Sequence, residues 1–272
     1  MSDRARGVAL VVAAVTSLQF GAGFAVTLFD EVGAAGAAFL RLAIAAVVLV
    51  AIWRPRVRGH PLADLRIAAL FGASLGLMNL CIYEAMARIP LGIAVTIEFW
   101  GPLAVAVAGS RRALDLLWVA LAATGILLLA DPGGGSVDAA GIAFAFAAGG
   151  LWAAYIVLAT RTGRVFPGGS GLAIAMVVGA VVTSPAGAGS DLLAPELLAA
   201  GLAVALASSV IPYSLDLEAL RLLPARVFGI LMSLEPAVAA LAGLVVLGQA
   251  LGGVEWLAIA LVVVASAGAT AR

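Results

Sequence analysis

Charge-poor apolar runs recur along the chain at a regular beat, separated by short connections that carry most of the charges. The first five occupy 7–29, 32–53 (interrupted by Arg41), 67–87, 91–110 (interrupted by Glu98) and 116–130. After a glycine-rich turn at 131–138, five more follow at 139–160, 171–186, 197–215, 227–247 and 254–271. A helix that crosses a bilayer needs about 20 predominantly apolar residues, whereas a barrel strand needs about 10 with strict alternation. None of these runs alternates, so the pattern predicts an all-α polytopic membrane protein of ten transmembrane helices. The first run is longer than the roughly 7–15-residue apolar core of a cleaved signal peptide and is read as a retained span.

Composition sharpens this picture. Of 272 residues, 64% are hydrophobic and 11% charged, against about 25% charged in an ordinary soluble domain, and mean hydropathy is +1.18. Ten helices of about 20 residues use most of the chain and leave no room for a soluble domain. All fifteen basic residues are arginine. A P-loop needs a lysine, so direct ATP drive by this chain is excluded. Cys81 and His60 are the sole cysteine and histidine. An intramolecular disulfide, a thiolate or His-pair metal site and a Ser-His-Asp triad are therefore not expected. The expected partners are the lipid bilayer and a small-molecule substrate; neither a cofactor nor nucleic acid is expected.

Arginine counting sets the orientation. With the N-terminus inside, thirteen arginines fall on the inner side: Arg4, Arg6, Arg54, Arg56, Arg58, Arg66, Arg111, Arg112, Arg161, Arg164, Arg221, Arg226 and Arg272. The outer connections hold Arg88 together with Asp30, Glu31, Asp131, Asp138, Asp191 and Glu196. Basic residues concentrate on the cytoplasmic side of membrane proteins, so both termini are expected in the cytoplasm.

The halves repeat. Glu84-Ala85, Pro90 and Pro102 recur as Glu218-Ala219, Pro224 and Pro236, all at an offset of 134 residues. Each half, 1–134 and 135–272, has five spans. The number is odd, so the second copy must be inserted upside down, as in the inverted repeats of secondary transporters.

A charge near the bilayer centre costs at least about 2.5–3.5 kcal/mol and calls for a partner or a function. The helical rise puts Arg41, Glu98 and Glu235 near the midplane. Arg41 and Glu98 either pair across spans two and four or contact substrate, and Glu235 is either a substrate contact or a carboxylate bonded to its own surroundings. Pro102, Pro212 and Pro236 each remove the amide that would bond the carbonyl four residues earlier, freeing those of Glu98, Ser208 and Met232. A freed carbonyl must face protein or a wet cavity and could accept from a substrate ammonium, unless the proline serves only as a kink for gating or packing. Further cavity candidates lie at helical spacing: Thr16, Gln19 and Phe20 in span one, Asn79 and Tyr83 in span three, Trp152 and Tyr155 in span six, and Ser208, Ser209 and Tyr213 in span eight. Gly72 and Gly76 read as a packing groove. Trp53, Trp118 and Trp256 belong at the membrane interfaces, and His60 in solvent.

The segments Thr96-Ile97-Glu98-Phe99-Trp100-Gly101-Pro102-Leu103 and Leu223-Pro224-Ala225-Arg226-Val227-Phe228-Gly229, the latter leading to Ser233-Leu234-Glu235-Pro236, resemble the EamA-type branch of the drug/metabolite transporter superfamily. The ten spans and the five-plus-five duplication extend the resemblance over nearly the whole chain. It departs at Phe20-Gly21, where many relatives have Trp-Gly, and at Gly248-Gln249, where many have Gly-Glu. The resemblance implies that spans one, three, four, six, eight and nine ring a central cavity. It also implies export of amino acids or similar metabolites across the bacterial inner membrane. The expectation is a non-enzymatic secondary exporter working by alternating access, with aromatic or large neutral amino acids first and threonine or homoserine second. The alternatives are a drug or nucleotide-sugar carrier on the same fold, and a channel or scaffold.

Overall fold

The computed structural model describes residues 3–108, 113–130, 138–187, 192, 194–223 and 225–270. Pro224 of the repeated motif, the arginine pair 111–112 and most of the glycine-rich turn lie outside the described residues. A helix falls on each of the ten apolar runs, and no strand occurs among the described residues. Span one is α1 (Asp3–Val26), span two α2 (Phe29–Trp53) and span three α3 (Leu62–Met86). Span four is broken into α4 (Leu91–Glu98) and α5 (Trp100–Ala108), and span five is α6 (Ala113–Ala130). Spans six and seven are α7 (Ala139–Val165) and α8 (Ser170–Gly187). Span eight runs as α9 (Pro195–Ala205), a π-helical segment (Leu206–Val210) and α10 (Ile211–Leu222). Span nine is broken into α11 (Ala225–Met232) and α12 (Glu235–Leu247), and span ten is α13 (Gly253–Thr270). Six of these rods are individually long and apolar enough to cross a membrane: α1, α2, α3, α7, α8 and span eight. The other four apolar helices are shorter. Large aliphatic side chains such as Val47 and Leu116, 71% and 73% exposed, point outward, as a lipid-facing surface requires.

The two broken spans follow from their prolines. Without an amide at Pro102, α4 stops at Glu98; without one at Pro236, α11 stops at Met232. These stops lie 134 residues apart, the offset of the sequence repeat. Helix packing follows the same exchange. The α3–α7 contact of spans three and six has its counterpart in α1–α10 of spans eight and one, α4–α7 in α1–α11, and α5–α7 in α1–α12. The α2–α8 and α6–α13 contacts map onto themselves.

Span eight reaches beyond the predicted residue 215 to Leu222, which brings Asp216 into the helical rod. His60 is not simply solvated, because its ring lies 4.5 Å from that of Phe166. The Gly72/Gly76 groove is filled by α8: a Cβ at Gly76 would lie 2.8 Å from the Gly179 Cα. Backbone cannot yield as a side-chain tip does. Gly76→Leu is therefore expected to cost about 1–3 kcal/mol or more through overpacking, read as a lowered melting temperature in detergent. Gly163→Ala, where nothing lies within 4 Å, should leave it unchanged.

Candidate functional site

Pro212 organises the site. It deprives the Ser208 carbonyl of its helical partner, and the chain widens into a π turn over Leu206–Val210 just before it. Such turns free backbone groups for other bonds. The Ala207 carbonyl accepts from Ser17 Oγ at 2.6 Å, and the Ser208 carbonyl accepts from Arg41 Nη2. Gly21 makes the approach of α1 possible, since a Cβ there would lie 2.9 Å from the Ser208 amide nitrogen.

Arg41 is 4% exposed. Its Nε donates to Ser209 Oγ at 2.9 Å and its Nη1 to the Tyr83 hydroxyl at 3.2 Å. The guanidinium carbon also sits 5.6 Å from the Tyr83 ring centroid. Spans two, three and eight are thus tied together through one buried cation. The pairing of Arg41 with Glu98 considered from sequence is not formed. Among the described residues the ion pairs are Glu84–Arg88 and Glu218–Arg221. The reason is azimuth: α2 packs on α3, α8, α9 and the π segment, while α4 packs on α7 and α12. All three partners of Arg41 are formally neutral. The Ser208 carbonyl is taken by Arg41 and is not available to a substrate ammonium.

Acceptors lie on the neighbouring helices. Glu98, Glu235 and Gln19 are 6%, 1% and 3% exposed. Among the described residues, Glu235 Oε1, Gln19 Oε1 and Asp216 Oδ1 are buried without a hydrogen-bond partner. Among the described residues the bundle interior therefore holds a cation with neutral partners and carboxylates without ion partners. Sequence reasoning missed Asp216. Its spacing of three from Tyr213 puts both on one helix face, the signal that would have found it.

The other candidates divide. Trp152 meets Phe99 edge-on at 5.3 Å, and Tyr155 packs on Phe71 at 5.0 Å. Tyr213 packs against the core shared by α2, α3 and α8, and Phe20 against the larger core of α3, α4 and α7. Asn79 is spent on the Leu75 carbonyl of its own helix. Thr16 is exposed and bonds the Val12 carbonyl. Met232 lies with Val11, Val15 and Leu223 in an apolar cluster of α1, α10 and α11.

Gln249, a departure noted in the sequence, has a structural task. Its Oε1 accepts from the Leu91 amide at 3.0 Å, an otherwise free donor at the start of α4. Gln249→Leu should cost about 1–3 kcal/mol by orphaning that amide. Gln249→Glu keeps the acceptor and should keep the melting temperature, both checked by thermal unfolding in detergent.

A model of the EamA-like transporter family matches residues 139–271. The threonine/homoserine exporter RhtA of Salmonella typhimurium (strain LT2) is 43% identical over 264 residues, covering 94% of this chain and 88% of that protein. RhtA of Escherichia coli (strain K12) is 42% identical over 270 residues, covering 97% and 90%. A solved crystal structure superposes with a TM-score of 0.59 at 19% identity over 95% of each chain, a likeness of fold alone.

Proposed function

The chain belongs to the EamA-like transporter family, and from that premise we propose that it exports small neutral amino acids of the threonine and homoserine type across the bacterial inner membrane. The observation that carries this reading is Arg41, a buried cation whose bonds all go to neutral acceptors. A zwitterion completes the charge pattern around it. Its carboxylate meets the guanidinium donors, and its ammonium meets the unpartnered oxygens of Glu235 and Gln19, as burial of each charge demands. Nothing covalent is required.

The order of substrates differs from the one expected from sequence. The relatives' names point to hydroxyl amino acids first, and the Trp152 and Tyr155 rings already have aromatic neighbours in Phe99 and Phe71. Aromatic amino acids come second. Counterflow in proteoliposomes tests this directly. Uptake of labelled L-threonine into vesicles loaded with unlabelled L-homoserine should exceed uptake driven by loaded L-phenylalanine. The opposite ranking would restore the aromatic order, and no counterflow with any amino acid would point to a channel or scaffold.

The transport cycle is alternating access between two inverted repeats, 1–134 and 135–272, with both termini in the cytoplasm. The matching helix breaks at Glu98 and Met232 and the exchangeable helix contacts support this reading. In a Cys81→Ser background, Glu196→Cys should react with an impermeant thiol reagent from outside and Arg58→Cys only from inside. Reaction of both from one face would overturn the orientation.

A further inference from the structure

At the end that this orientation places outside, the end of α1, the start of α2, the end of α3 and the end of α12 line an open cavity of about 890 Å³. Its wall carries Phe29, Asp30, Glu84 and Arg88. The volume falls within the roughly 300–1,000 Å³ of small-molecule sites.

The charges on this wall are arranged to receive something. Arg88 directs a single nitrogen, Nη1, to both the carboxylate and the carbonyl of Glu84 one turn earlier. Its guanidinium is braced over the Phe144 ring at 5.0 Å. Among the described residues, its Nε and Nη2 have no hydrogen-bond partner, and these two donors form the edge that grips a carboxylate at two points. The Glu84–Arg88 pair joins the last turn of α3 to the turn directly after it, so it does not bridge opposite walls or close the mouth. Asp30, exposed at the start of α2, makes no ion pair among the described residues.

The Phe29 ring faces the fully buried Tyr83 ring at 5.6 Å, and the Tyr83 hydroxyl accepts from Arg41. Tyr83 thus touches both Phe29 of the cavity wall and Arg41 of the buried site.

We propose that this vestibule is a second amino-acid site, where Arg88 receives the α-carboxylate and Asp30 the ammonium of cargo that has passed the Phe29–Tyr83 pair. The site rests on the exporter reading and extends it: external amino acid binds here first when exchange runs from outside. Its charges are open to water and screened, so binding is weak, as release requires.

The test uses right-side-out membrane vesicles loaded with labelled L-threonine, with efflux stimulated by unlabelled L-threonine outside. Arg88→Lys, which keeps the charge and loses the two-point edge, should raise the external concentration for half-stimulation about tenfold. Asp30→Asn should act in the same direction, and because Asp30 holds no ion pair, its fold is not at risk. The internal concentration for half-maximal efflux should not move in either variant. An unchanged external constant in both variants, or equal shifts on both sides, would overturn the vestibule while leaving the exporter intact. Absence of L-threonine exchange in the wild-type vesicles would overturn both.

Discussion

Arg41→Met is expected to lower L-threonine exchange about 100-fold or more in proteoliposomes holding equal amounts of folded protein. The guanidinium is the buried cation of spans two, three and eight, and a hydrogen bond to a charged group is worth about 1.5–3 kcal/mol, so losing a two-point carboxylate contact reaches that factor. Stability should fall less. The substitution orphans the Ser208 carbonyl, which Pro212 has already stripped of its helical partner, but it also removes a guanidinium that was costly to bury. A net loss of about 1–3 kcal/mol is expected from thermal unfolding in detergent. Arg41→Lys should recover part of the stability and little of the exchange, because an ammonium cannot reach Ser209, Tyr83 and the Ser208 carbonyl together while holding a carboxylate. Normal exchange by folded Arg41→Met protein would reduce Arg41 to a brace between helices.

The parts of this site that follow the backbone were legible in the sequence. Hydropathy placed a helix on every run, and proline chemistry located both helix breaks and the freed Ser208 carbonyl, because each depends only on residues four apart. What could not be read was direction around a helix. Depth arithmetic put Arg41 and Glu98 at similar heights, but their pairing depended on which helices are neighbours, and α2 turns its arginine to the π segment of span eight. The same gap explains Asn79 and Thr16, polar residues at helical spacing that bond their own helices. Asp216 escaped because the apolar run appeared to end at residue 215, whereas packing carries the helix to Leu222. Gly72 and Gly76 were read correctly as packing, since small residues at a spacing of four form a groove whichever helix fills it.

Glu235→Gln is expected to abolish the response of transport to a pH gradient while exchange continues. Glu235 heads α12 beside a proline break and carries a buried oxygen without a partner. A carboxylate in that setting holds either a proton or the substrate ammonium, and mutual exclusion couples the two in opposite directions. In wild-type protein, an outer side more acidic than the inner should accelerate L-threonine efflux, since protons entering from outside displace the ammonium from Glu235. Glutamine can accept from the ammonium but cannot carry the proton, so efflux from Glu235→Gln vesicles should be the same with and without the gradient. Glu98→Gln should leave a folded protein, because Arg41 finds its partners in Tyr83, Ser208 and Ser209 rather than in Glu98. A wild-type protein indifferent to the gradient would remove the coupling role from Glu235 and make facilitated diffusion the better account.

The central claim is that one buried site holds both ends of a zwitterion, and blocking one end at a time tests it most directly. In proteoliposome counterflow of labelled L-threonine, competition is measured with L-threonine, L-threonine methyl ester and N-acetyl-L-threonine. The ester keeps the ammonium and lacks the carboxylate that Arg41 would hold. The acetyl compound keeps the carboxylate and lacks the ammonium that Glu235 and Gln19 would accept. Unlabelled L-threonine should suppress the signal, and each blocked analogue should need at least about tenfold more, the cost of one unmet buried charge contact. Competition by either analogue at the concentration effective for L-threonine would contradict the two-ended site.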